Sequence, residues 1–183
     1  HVKEVDIDYS GEVIEYSTTM ISIALQKGLL QPFLGDTVNY VNAPLIASER
    51  GIRVVETKSS KVEDFANLIS VTLKTDRGEK RMAGTIFGTK DARIVRIDNY
   101  HVDVVPSGYM LVVSNKDKPG VMGALCTLLG RFDINIAAMS LGREQPGGEA
   151  VVILNLDSVV PREVMEQIKS LDNIREARLV RLP

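Results

Sequence analysis

Residues 115 to 136 read NKDKPGVMGALCTLLGRFDINI, and how this stretch folds sets the fold of the second half of the chain. Asp117 stands just ahead of Pro119 and Gly120, and Val121, Leu125, Leu128 and Phe132 then recur at helical spacing, with Gly130 near the end. The spacing predicts a helix opened by Pro119, whose missing N–H is no loss at a first helical position. Asn135 arrives one helix later, at the entry to a strand.

Outward from that stretch the pattern is regular. Tyr109 to Ser114 and Ile134 to Leu141 read as strands, Gly142 to Gly148 as a polar loop, and Ala150 to Leu156 as a third strand. Pro161 opens a second helix with Val164, Ile168 and Leu171 inward, and Ile174 to Arg181 forms the last strand. The order is βαββαβ, a ferredoxin-like four-stranded antiparallel sheet with two helices on one face.

Upstream, Pro106-Ser107-Gly108 reads as a short turn-forming linker, so the predicted domains are 1–106 and 109–183. Val5, Ile7 and Tyr9 alternate as a strand that stops at Ser10-Gly11. Ser17 and Thr18 are placed to cap a helix with Ile21, Leu25, Leu29 and Leu30 on one face. A second helix starts near Asn42, with Pro44 in its first turn and Gly51 just past its end. Strands follow at Ile52–Thr57, around Ile69–Leu73, and at Met82–Phe87, Arg93–Ile97 and His101–Val105, with turns at Asp76–Glu79 and Asp98-Asn99. The fold class is therefore α+β: an N-terminal α+β domain ending in an antiparallel meander, then the ferredoxin-like domain.

Composition narrows the function classes. The chain has 183 residues, a natural length for two small domains, and an apolar fraction of 44%. Its 22 Lys and Arg against 24 Asp and Glu leave a net charge of −2, no footprint for nucleic acid or an anionic membrane. The strands of the second half also lack the aromatic residues that stack bases. One cysteine, Cys126, precludes an internal disulfide and fits a reducing, cytoplasmic setting. The first residues have neither the basic nor the apolar region of a signal peptide, and no apolar run nears the roughly 20 residues that span a bilayer.

Catalytic motifs are missing. The 14 glycines form no G-x-G-x-x-G and no Walker loop. His1 and His101 are the only histidines, and no metal-ligand spacing involves them or Cys126. No histidine lies near Ser114 or Ser140 to activate it. The reading assigns no catalytic residue, no metal and no cofactor to this chain.

Binding remains. Helix amides at Gly120, Val121 and Met122 would face a carboxylate, Asp117 an ammonium group, and Asn135 can both donate and accept. These groups suit an α-amino acid. On spacing alone the simpler account is favoured, Asp117 as a cap and Asn135 in a turn, because caps are far commoner than ligand sites. A second group of residues, Arg77, Lys80, Arg81, Arg93 and Arg96 with His101, marks a candidate anion site around the meander. A solvated charged face is the favoured account of it.

The stretches D-K-P-G-V and D-I-N-I-A-A-M resemble an ACT domain, a small amino-acid-binding module of metabolic enzymes. V-N-Y-V-N-A-P-L-I-A-S-E-R-G-I, Val38 to Ile52, with F-G-T-K at Phe87 to Lys90, resembles the intervening domain of long-form bacterial D-3-phosphoglycerate dehydrogenases. The resemblance covers essentially the whole chain. It implies the regulatory part of an NAD-dependent oxidoreductase of serine biosynthesis, whose catalytic and NAD-binding residues lie in other domains. The alternative is the ACT part of another enzyme, such as a serine dehydratase. It further implies L-serine or a related amino acid bound between two ACT domains joined edge to edge, and hence self-association. Carried over by position, Asn115 and Asp117 of one subunit and Asn135 of the other hold the effector, beside Pro119, Gly120, Val121 and Met122. Asn115 stands where the family often has a larger His or Tyr. In that family basic residues of the intervening domain can bind a phosphate-bearing ligand, which implies Arg81, Arg93, Arg96 and His101 here. The joining strand is expected to be either Tyr109–Ser114 or the strand from Ile134.

Overall fold

The computed structural model describes residues 1–61 and 64–182. The chain forms two compact units, His1–Ile86 and Phe87–Pro183.

In the first unit, β1 (Val2–Gly11) leads through α1 (Thr19–Leu34) and α2 (Ala43–Glu49) to β2 (Arg53–Ser59), then β3 (Asn67–Thr75) and β4 (Gly78–Phe87). Within this unit the strand order is β2-β1-β3-β4. Val5, Ile7 and Tyr9 of β1 are buried with Leu30, Val38, Ala43 and Ala47 against the two helices, as the alternation predicts. The other face of β1 is charged: Glu4 accepts hydrogen bonds from Lys74 and Arg53, and Lys74 also reaches Asp6. The sequence signals do not reveal that β1 and β2 pair in parallel. A parallel pair needs a long crossover, which α1 and α2 provide.

One local expectation fails in α1. Thr18 is the N-cap residue, but its hydroxyl makes no cap bond and turns to Glu56 Oε2 at 3.4 Å. Leu30 is buried and Ile21, Leu25 and Leu29 pack half-buried against the same core, as the spacing predicts. Ser22 and Gln26 are buried as well. Gln26 hydrogen-bonds back to the Ser22 carbonyl at 3.3 Å, which lets two polar residues sit inside. Helix α2 matches expectation, with Pro44 in its first turn and Gly51 at φ 71 beyond its end.

The second unit opens with a hairpin, β5 (Asp91–Ile97) and β6 (Tyr100–Val104). Then come β7 (Tyr109–Lys116), α3 (Val121–Arg131), β8 (Ile136–Arg143), β9 (Glu149–Leu156), α4 (Arg162–Ser170) and β10 (Ile174–Arg181). The sheet β10-β7-β9-β8 is antiparallel throughout. Leu111, Val113, Val152 and Leu154 of the sheet bury Leu125, Leu129, Val164 and Ile168 of the helices, the predicted ferredoxin-like core.

The turn Pro106-Ser107-Gly108 lies within this unit and is packed. The physical reason is the other face of the sheet. Met110, Val112, Val151 and Ile153 point away from the helices and pack against Ile94, Ile97, Tyr100, Val102 and Val104 of the hairpin. The contact is close: a Cβ on Gly142 of β8 would come within 2.7 Å of the His101 carbonyl oxygen. The turn itself is pinned, because Asn155 Nδ2 donates to the carbonyls of Val105 (3.0 Å) and Ser107 (3.2 Å). The last hairpin of the predicted meander, in which β6 follows β5, also packs on this second face of the sheet.

Candidate functional site

The sheet topology selects one end of the second unit. Strands β7 and β8 both run antiparallel to β9, so they run parallel to each other and end on the same side. The β7–α3 turn and the β8–β9 loop therefore meet there, and Asp117 ties them together. Its amide donates to the Gly148 carbonyl at 2.8 Å. Its Oδ2 accepts from Arg143 Nη1 at 2.7 Å and from the Gly147 amide at 3.1 Å. The Arg143 guanidinium, and after it the Gly147 amide, holds the Asp117 carboxyl below the usual carboxylate range.

Pro119 does not open the helix as predicted. Gly120 is the N-cap residue at φ 87, a left-handed conformation that suits glycine, and α3 begins at Val121. The Val121 amide turns back to the Lys118 carbonyl at 3.4 Å. The orphan amides of the first turn therefore shift one residue on, to Met122 and Gly123. A Cβ at Gly120 or Gly123 would meet nothing within 4 Å, so the space before the helix start is open.

Asn115, next to last in β7, lies on the helix-facing side and is only 2% exposed. Its Nδ2 donates to the Lys116 carbonyl at 2.9 Å, while its buried Oδ1 has no donor. A buried acceptor without a partner among the described residues is unusual. Asn135 lies at the opposite end of β8. Its Nδ2 donates to Asp157 Oδ2 at 2.6 Å and its carbonyl accepts from the Asp157 amide at 3.2 Å. At about 3.3 Å per strand residue, β8 separates Asn135 from the Asp117–Arg143 pair by roughly 25 Å. One chain does not bring the predicted effector residues together.

The residues of the predicted anion site are drawn from both units. Arg77, Lys80 and Arg81 belong to the first unit, Arg93, Arg96 and His101 to the second. Arg93 is already neutralised by Asp91 (2.6 Å) and Asp103 (3.1 Å), and its guanidinium lies over the Phe87 ring. Arg96 and His101 face each other across the β5–β6 hairpin. Among the described residues no cluster of His, Cys, Asp and Glu suits a metal, and no helix is long and apolar enough to cross a membrane.

Sequence reasoning missed Arg143. The signal lay in the predicted topology: βαββαβ order puts the ends of its first and second strands side by side, so a basic residue ending the second strand becomes a partner for Asp117.

Residues 1–98 match the D-3-phosphoglycerate dehydrogenase intervening domain, and residues 109–173 match the ACT domain. Similar proteins include the D-3-phosphoglycerate dehydrogenase of Methanocaldococcus jannaschii, 41% identical over 99% of this chain and 34% of that protein. The enzymes of the same name from Archaeoglobus fulgidus and Bacillus subtilis are 39% and 35% identical, over 99% and 100% of this chain and 34% and 35% of theirs. The chain thus spans about a third of the length of these relatives.

Proposed function

We propose a function from one premise: the chain belongs to the D-3-phosphoglycerate dehydrogenase intervening-domain family and carries an ACT domain behind that domain. It is the regulatory region of an NAD-dependent D-3-phosphoglycerate dehydrogenase. It binds L-serine, or a close relative, between two ACT domains for feedback control. Catalysis and NAD binding belong to the rest of the parent enzyme.

The observation that carries this reading is the placement of Asn135 and Asp117 at opposite ends of the edge strand β8. Of the two strands expected to join, β7 is excluded, because it is paired on both sides. Strand β8 has one free edge and exposes Met139 (53%) and Leu141 (43%), an apolar edge that a second copy would cover. Antiparallel pairing of β8 with its copy about a two-fold axis at Met139 sets Asn135 of one subunit opposite Arg143 of the other. Two equivalent sites form, each with Asp117, the buried Asn115 Oδ1 and the α3 amides from one chain and Asn135 from its partner. The ligand ammonium lies on Asp117 and its carboxylate toward Met122 and Gly123.

Titration calorimetry with L-serine tests the site. Asp117→Ala is expected to weaken binding by about one to two orders of magnitude, since a charge-assisted hydrogen bond is lost. Asn135→Ala also weakens it, while Lys169→Ala on the exposed face of α4 leaves it unchanged. Serine binding that survives both site substitutions sinks the assignment.

Self-association has its own test. A charge at the two-fold axis would face its copy, so Met139→Asp is expected to turn a dimer or higher form into monomer by light scattering, with an unchanged melting temperature for the monomer fold. Monomeric wild type at high concentration would refute the interface.

A further inference from the structure

We propose that Arg143 receives the ligand's carboxylate, so that Asp117 and Arg143 together read both poles of a zwitterion; this rests on the amino-acid-binding reading above. What singles out Arg143 is how its ion pair with Asp117 is made. The pair is one-point. Arg143 uses Nη1 alone, on Asp117 Oδ2, and the Gly147 amide occupies the same oxygen. Asp117 Oδ1 is left with no donor among the described residues, and the other donors of the guanidinium with no acceptor. Arginine–carboxylate pairs are frequently two-point forks that engage both oxygens. Here the fork is half open, with an acceptor on one side and donors on the other.

Exposure fits the same role. The Arg143 side chain is 50% exposed and that of Asp117 22%, so the pair adds little to stability. The Gly147 amide fixes which oxygen faces the β8–β9 loop, and the backbone bond from Asp117 to Gly148 holds that loop beside the β7–α3 turn. The open acceptor and open donors are therefore pre-positioned. An α-amino acid carries its ammonium and carboxylate on one carbon, and it completes both halves of the fork at once: N–H donors to Asp117 Oδ1, carboxylate oxygens to the free N–H groups of Arg143. The α3 amides at Met122 and Gly123 then share the carboxylate rather than hold it alone. A monoamine or a monocarboxylate can complete only one half, so selectivity for zwitterions follows.

Arg143 could act in the opposite sense, as a built-in competitor that occupies the ammonium seat. The two roles differ in sign. As carboxylate receptor, Arg143→Gln lowers L-serine affinity by about 10- to 100-fold, and Arg143→Lys restores part of it. As competitor, Arg143→Gln raises affinity. L-serinamide, which keeps the ammonium and hydroxyl but has no carboxylate, supplies a readout that a merely structural arginine would not move. The wild-type chain is expected to prefer L-serine over L-serinamide by at least about tenfold in a competition titration, and Arg143→Gln to erase that preference. Unchanged or tighter L-serine binding in Arg143→Gln overturns the proposal, as does a preference that persists in that variant. If L-serine binding is lost in Asp117→Ala and Asn135→Ala but kept in Arg143→Gln, this proposal falls and the reading above stands. If L-serine does not bind the wild-type chain, both fall.

Discussion

Replacing Gly11 by alanine is expected to destabilise the first unit by about 2–6 kcal/mol, a large part of the roughly 5–15 kcal/mol that holds a domain folded. Gly11 is the last residue of β1 and pairs with Asn67 at the start of β3. Its φ of 86 and ψ of −154 lie in a region that only glycine occupies without strain, and a side chain there costs about 1–3 kcal/mol. Space is the second obstacle. A Cβ on Gly11 would stand 1.9 Å from the Ala66 carbonyl oxygen and 2.9 Å from its carbon. Both are backbone atoms held by the ladder, and the next two residues are tied to the same place. Glu12 donates its amide to that carbonyl at 3.3 Å, and Val13 donates to Asn67 Oδ1 at 2.6 Å. Relief of the clash would open the β1–β3 end, typically a further 1–3 kcal/mol. Urea unfolding measures the change directly. Gly28→Ala, in the middle of α1 where a Cβ meets nothing within 4 Å, should instead stabilise by about 0.5–1 kcal/mol. A Gly11→Ala midpoint equal to wild type, with the same m-value, would falsify the account of this glycine.

Gly11 also marks where the sequence stops being informative. Ser10-Gly11 reads as the end of a strand, which it is, but nothing local says that a carbonyl 55 positions away fills the Cβ space. Features set by neighbours in the chain were legible: the alternation of Val5, Ile7 and Tyr9, the stripe of Val121, Leu125 and Leu128, and the βαββαβ order. Features set by distant partners were not. The parallel pairing of β1 with β2 depends on a crossover of two helices, and α1 buries Ser22 and Gln26 beside its apolar residues. The same division holds at the site. Asp117 and Asn135 stand out by type and position, and Asn115 through the resemblance to ACT domains. Arg143 lies 26 residues from Asp117 and becomes its partner only through strand order.

A chain cut at the apparent linker, keeping only residues 109–183, is expected to lose cooperative folding, whereas residues 87–183 should melt in one transition. The linker reading treats the sheet as one-sided, with helices on one face and water on the other. Yet Met110, Val151 and Ile153 are almost wholly buried on the second face, and the β5–β6 hairpin is what buries them. Exposure of a fully buried apolar side chain forfeits about 1.5–3 kcal/mol, so these three alone put roughly 4–9 kcal/mol at risk. The cut also bares a contiguous apolar patch, which drives aggregation. Residues 109–183 should therefore elute as large species and bind a hydrophobic dye. If they instead melt within about 5 °C of residues 87–183 and bind no dye, the hairpin is dispensable and the boundary belongs at Pro106-Ser107-Gly108.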